Sequence, residues 1–139
     1  MEEQHPDMEF KVIGYGSGEK FLKNPPGNLE YLGAMKYEDI AKYIAKCHMG
    51  ISLRTDDEIS REAFPVKVFE YMGVGIPMVV TPQGEASSLI ENEGIGVGCA
   101  NEVKAIIAGI SSLKESHMQA KLEHFSRQDQ SKRILQILI

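Results

Sequence analysis

Basic residues are the minority in this chain: 15 lysines and arginines stand against 20 aspartates and glutamates, for a net charge of −5. A nucleic-acid backbone asks for a basic face, so that class of partner is disfavoured. Cysteine is scarce. Cys47 and Cys99 cannot form a disulfide framework, and with no secretory leader in the sequence they are expected to be reduced, cytosolic thiols. No apolar run has the length of a membrane span, so any membrane contact is expected to be peripheral, at the inner face, or made by parts outside this sequence. His117 and His124 lie two turns apart on a helical pattern without a further ligand nearby, and no metal is expected. The glycine run Gly14-x-Gly16-x-Gly18 has Glu19 where a dinucleotide fingerprint needs its next glycine. A nicotinamide-dependent dehydrogenase is excluded on that ground. Internal repeats and low-complexity linkers are also missing.

What is present is the composition of one ordinary globular domain, with 139 residues, 42% hydrophobic and 25% charged. Strand patterns at 9–15, 29–33, 49–53, 76–81 and 94–99 alternate with helical patterns across short glycine-rich turns. That alternation predicts an α/β fold, a Rossmann-like parallel sheet flanked by helices. Ile40, Tyr43, Ile44 and Cys47 make one apolar stripe at helical spacing; Val103, Ile106, Ile107, Ile110 and Leu113 make another, with Asn101 as the expected cap. A further helix is expected to open at His117 and Met118, with Leu122 and Phe125 inward. Residues 1–7 read as the tail of a helix. The terminal run 134–139 is apolar, and the spacing of Ile134, Ile137 and Leu138 predicts a helix there too. The segment 54–61, RTDDEISR, is expected to be a mobile charged loop, too polar to pack.

The chain is organised around 61–81, REAFPVKVFEYMGVGIPMVVT. Pro65 suits the first turn of a short helix, because its missing N–H would be unpaired there anyway. The helix is expected to stop at Gly73 and Gly75, and the apolar run 76–81 to form a strand buried on both faces. Glu62 and Glu70 bracket the helix start. Free helix N–H groups beside carboxylates suit a phosphate and a polyhydroxyl respectively.

Glu62-x7-Glu70, the following EYMGVGIPMVVT and then Gly84-Glu85 resemble the donor-binding, C-terminal half of a GT-B glycosyltransferase, of the retaining, nucleotide-sugar-dependent, group 1 type. The resemblance covers nearly the whole chain. It implies that Glu70 binds the ribose hydroxyls and that Glu62 lies at the donor sugar's reacting face as the catalytic carboxylate. It further implies that the amides of Val66 and Lys67 meet the diphosphate, with the Lys67 ammonium adding a point charge. Gly14 and Gly16 would lie near the nucleotide, Ala34 and Met35 at the nucleobase, and Gly84 and Glu85 beside the donor. Each has a plainer reading: a tight strand-to-helix turn for the glycines, loop for Ala34 and Met35, solvated surface for Glu62 and Lys67, a helix start for Gly84 and Glu85.

The resemblance implies a cytoplasmic hexosyltransferase of polysaccharide or glycoconjugate synthesis, needing no metal or other cofactor and taking a nucleotide-sugar as donor. Such domains usually begin with a further strand carrying an arginine and a lysine, and neither the strand with its helix nor the acceptor-binding N-terminal domain is in this sequence. Residues 1–139 are therefore expected to be a single donor-binding domain, an N-terminally truncated piece of a two-domain protein, inactive alone, whose acceptor sugar or lipid-linked sugar is held by the missing part. The gap between the strands at 10–14 and 49–53 is expected to be closed by their direct pairing or by exchange between two self-associating copies. Two other readings stay open: a sugar-nucleotide epimerase of the same fold, and a non-catalytic Rossmann-like interaction module.

Overall fold

The computed structural model describes residues 6–120, with side chains to residue 115. The chain divides into two compact units, Met1–Ile40 and Ala41–Ile139. In the first, β1 (Phe10–Ile13) pairs in parallel with β2 (Leu29–Gly33), Phe10 against Leu29 and Val12 against Tyr31. A 3₁₀ turn, Ser17–Leu22, opens their connection. Asn28 fixes the entry of both strands, its carbonyl accepting from Phe10 N–H at 2.8 Å and its side-chain amide donating to the Met8 carbonyl at 3.2 Å. Lys11 sits between Glu9 and Glu30 on the exposed face. Helix α1 (Tyr37–Ile44) runs across the boundary, and Cys47 lies in the turns beyond it.

The second unit carries a three-stranded parallel sheet in the order β3–β4–β5, with β3 at Gly50–Ser52, β4 at Met78–Val80 and β5 at Gly96–Gly98. Its connections are α2 (Glu58–Glu62) with α3 (Val66–Val74), then α4 (Glu85–Asn92); α5 (Val103–Ala120) follows β5. Central β4 is buried along its whole length, as an apolar β-branched run between two partners should be. Val68 and Met72 of α3 and Ala86 and Ile90 of α4 meet Met78 and Val80 in one core. Each fully buried aliphatic side chain there contributes about 1.5–3 kcal/mol. Pro65 stands at the cap of α3 rather than in its first turn. The helix runs through Gly73, one of the two glycines expected to stop it, to end on Gly75 in the left-handed conformation (φ 76°), whose N–H returns to the Tyr71 and Met72 carbonyls. The Tyr71 ring lies against Gly50, where no Cβ would fit, and its hydroxyl donates to the Ile51 carbonyl at 3.1 Å.

The α/β class and the parallel pairing agree with the sequence reading. Three local expectations do not. The segment 54–61 is built rather than loose: Asp57 caps α2, accepting from Ser60 N–H at 2.7 Å and from the Thr55 hydroxyl at 2.6 Å, while Asp56 takes Arg61. Polar side chains here satisfy a helix end instead of dispersing into solvent. Asn101 lies one residue outside the α5 cap, because the first helical carbonyl is that of Glu102, which accepts from Ile106 N–H. No separate helix opens at His117; α5 continues through it to Ala120. β1 and β3 are strands of separate sheets, one in each unit. The expectations for 1–5, Leu122, His124, Phe125 and 134–139 fall outside the described residues.

Candidate functional site

In a parallel sheet each connecting helix starts at the carboxyl end of the preceding strand, and ligands gather at that edge. In the second unit the edge carries the exits of all three strands, and Thr81 ties them together. Thr81 is 1% exposed. Its N–H donates to the Ser52 carbonyl at 3.0 Å, and its hydroxyl oxygen accepts from Arg54 N–H at 3.2 Å. The hydroxyl proton has the Asn101 Oδ1 (3.4 Å) and the Arg54 carbonyl (3.5 Å) in reach. One buried hydroxyl thus fixes the backbone leaving β3 relative to β4 and holds the side chain that follows β5. Sequence reading passed over Thr81 as the last residue of a strand; a lone hydroxyl closing an apolar run, where the backbone must change direction, is the signal it carried.

Glu62 is the last residue of α2 and is exposed. The chain then runs extended through Ala63 and Pro65 into α3. Pro65 holds the cap position and has no side-chain group to offer, and no described residue accepts from the amides of Val66 or Lys67. A nine-residue helix therefore begins with open N–H groups, the condition that favours an anion. Val66 is 69% exposed and Lys67 is exposed beside it. Glu70 lies one turn on, on the same face as Val66, and is half-buried. Phe64 and Phe69 pair across the helix start, their ring centroids 6.0 Å apart.

Gly84 is held against the end of α2. A Cβ built there would collide with the Arg61 carbonyl, so only glycine permits the approach. Its amide is already used, donating to Ser87 Oγ at 2.8 Å while that hydroxyl donates back to the Gly84 carbonyl at 2.9 Å. Ser87, 2% exposed, also packs its Cβ on Gly98. Gly84 therefore serves the site by proximity, and Glu85, exposed in the first turn of α4, is the polar group this turn presents.

The ten residues singled out from the sequence fall into two groups. Glu62, Val66, Lys67, Glu70, Gly84 and Glu85 belong to the second unit, around α2, α3 and the Gly84 turn. Gly14, Gly16, Ala34 and Met35 share the carboxyl edge of the first. There Gly14 N–H donates to the Gly33 carbonyl at 2.9 Å, and the Gly14 carbonyl accepts from the Tyr31 hydroxyl at 2.8 Å. Gly14 and Gly16 have φ of 139° and 154°, and the Gly16 amide donates to the Glu19 carboxylate at 3.0 Å. Ala34 is exposed and Met35 half-buried just past β2. Burial raises the Cys99 thiol above its ordinary value, which keeps it protonated and unreactive at neutral pH. Among the described residues no three His, Cys, Asp or Glu side chains are placed to share a metal ion. No helix among them is long and apolar enough to cross a membrane.

Parallel sheets flanked by helices that start at their carboxyl edge define the Rossmann-like class of α/β domains. Within that class the family is defined by sequence: residues 1–132 match the model described as Glycosyl transferases group 1, and the chain belongs to that family. Glycosyl transfer is accordingly its general chemistry, with a sugar donor and an acceptor as substrates. No curated protein matches the chain.

Proposed function

We propose that this domain binds a nucleoside-diphosphate sugar and presents it for transfer, with retention, to an acceptor sugar or lipid-linked sugar in polysaccharide or glycoconjugate synthesis. The observation that carries the reading is the start of α3: open amides at Val66 and Lys67, with Glu70 on the same face and the Gly84 turn seated on the end of the helix that carries Glu62. Negative charge builds on the departing diphosphate in glycosyl transfer, and helix amides with the Lys67 ammonium would stabilise it without a metal. An ionised carboxylate only accepts hydrogen bonds, so Glu70 is suited to the paired ribose hydroxyls and Glu62 to the donor sugar. Gly14, Gly16, Ala34 and Met35 would serve the nucleoside end, and Glu85 the sugar end.

Calorimetric titration with UDP, GDP and ADP tests the reading, and one of the three is expected to bind. Glu70→Ala should then weaken that nucleotide by roughly 1.5–3 kcal/mol with the fold intact, the cost of a charge-assisted pair of hydrogen bonds. Unchanged affinity would remove Glu70 from the site. Lys67→Met should weaken the diphosphate more than the bare nucleoside, and the difference should shrink in high salt. An equal effect on both would leave Lys67 a structural residue only.

A further inference from the structure

We infer that Arg54, at the exit of β3, is a second cation for the diphosphate, positioned by the Thr81 hydroxyl; this rests on the donor-site reading above. The segment joining β3 to β4 holds three basic residues, Arg54, Arg61 and Lys67, against five carboxylates, Asp56, Asp57, Glu58, Glu62 and Glu70. Such an excess of negative charge repels a diphosphate unless unspent cations stand in its way. Arg61 is spent: its Nε donates to Asp56 Oδ1 at 2.7 Å. The Arg54 guanidinium makes no hydrogen bond or ion pair among the described residues and feels only a longer-range attraction to Asp57. Its side chain is half-buried, unlike the exposed Arg61 and Lys67.

Position separates Arg54 from an ordinary surface arginine. Its backbone N–H is held by the Thr81 hydroxyl, and Thr81 N–H is held in turn by Ser52, the last residue of β3. The Cα is thereby tethered at the carboxyl edge of β3, from which the chain leads through α2 to the start of α3. A guanidinium fork there can engage two phosphate oxygens in a planar bidentate pair, a geometry the point-like ammonium of Lys67 does not offer. The fold uses only the backbone of Arg54, so the side chain can be changed without breaking the contact to Thr81.

The test is calorimetry on the 139-residue chain with UDP, GDP, ADP, their nucleosides and inorganic pyrophosphate, for the native sequence and Arg54→Gln. With whichever diphosphate binds, Arg54→Gln is expected to weaken it and pyrophosphate roughly tenfold or more, to leave the nucleoside unchanged, and to flatten the salt dependence. Thr81→Val, which removes the acceptor of Arg54 N–H, should lose part of the same preference for diphosphate over nucleoside. Binding of a diphosphate that is unaltered in Arg54→Gln, or a loss shared equally with the nucleoside, overturns the role of Arg54 and leaves the donor site standing. Failure of the native chain to bind any diphosphate overturns both.

Discussion

The two units solve the same local problem with very different means. In the second, β4 is buried along its length between two partners, and Val68, Met72, Met78, Ile90 and Ile110 are almost completely enclosed. In the first, β1 and β2 are the two strands of the sheet among the described residues, and none of those residues before Ile44 is fully buried. Its order comes from the parallel ladder, the Asn28 bonds and the exposed Lys11 ion pairs. Exposed ion pairs contribute little, and two strands without an apolar layer are marginal. The contrast teaches where each group of candidate residues gets its rigidity. Glu62, Val66, Lys67 and Glu70 stand on helices locked to a core, whereas Gly14, Gly16, Ala34 and Met35 stand on backbone held mainly by hydrogen bonds.

Truncating a core side chain on each side probes that contrast with the largest effect. Ile90→Ala should cost about 2–5 kcal/mol in denaturant unfolding, because its site is closed on every side. Val12→Ala, at a half-buried position of β1, should cost about 1 kcal/mol. Similar costs at both would mean the units are equally well packed, against the account. Gly84→Ala comes next. The added methyl meets backbone, which cannot swing aside as a side-chain tip can, so a cost of roughly 1–3 kcal/mol is expected together with weaker nucleotide binding. Unchanged stability in that variant would separate the Gly84 turn from the end of α2.

The smallest effect is one of pH. The Thr55 hydroxyl and then the Ser60 N–H hold the Asp57 carboxyl below its ordinary value of 3.8. A depressed carboxyl stabilises the folded form fully above that ordinary value, and the contribution fades as pH falls through the lower folded one. α2 should therefore loosen below about pH 4 before the core does, a difference visible in amide shifts at Ser60 and Arg61. Loss of both together would show that the cap is not an independent latch.

Much of this was legible in the sequence. The alternation of patterns gave the parallel sheets, and Pro65 and Gly75 marked both ends of α3 because each residue has a conformational reason to sit there. The candidate residues of 61–85 were singled out through carboxylate spacing and a family pattern. What stayed hidden depends on contacts between residues distant in sequence. Thr81 carried a local cue, a lone hydroxyl closing an apolar run, but its partners Ser52, Arg54 and Asn101, like Gly84 against Arg61 and Ser87 between Gly84 and Gly98, have no local signature. The segment 54–61 misled because charge usually means solvation, while here Asp57 and Asp56 spend their charge on a helix end and an arginine. Asn101 misled by one residue, the common error at a helix boundary.

The central claim is that the open start of α3 receives a diphosphate, and backbone amide shifts on titration with UDP, GDP, ADP and inorganic pyrophosphate test it most directly. The account predicts that pyrophosphate and one of the three nucleotides shift the amides of Val66 and Lys67 first and furthest, saturably, and that the bare nucleoside leaves them in place. Saturable binding that moves other amides while Val66 and Lys67 stay still would contradict it.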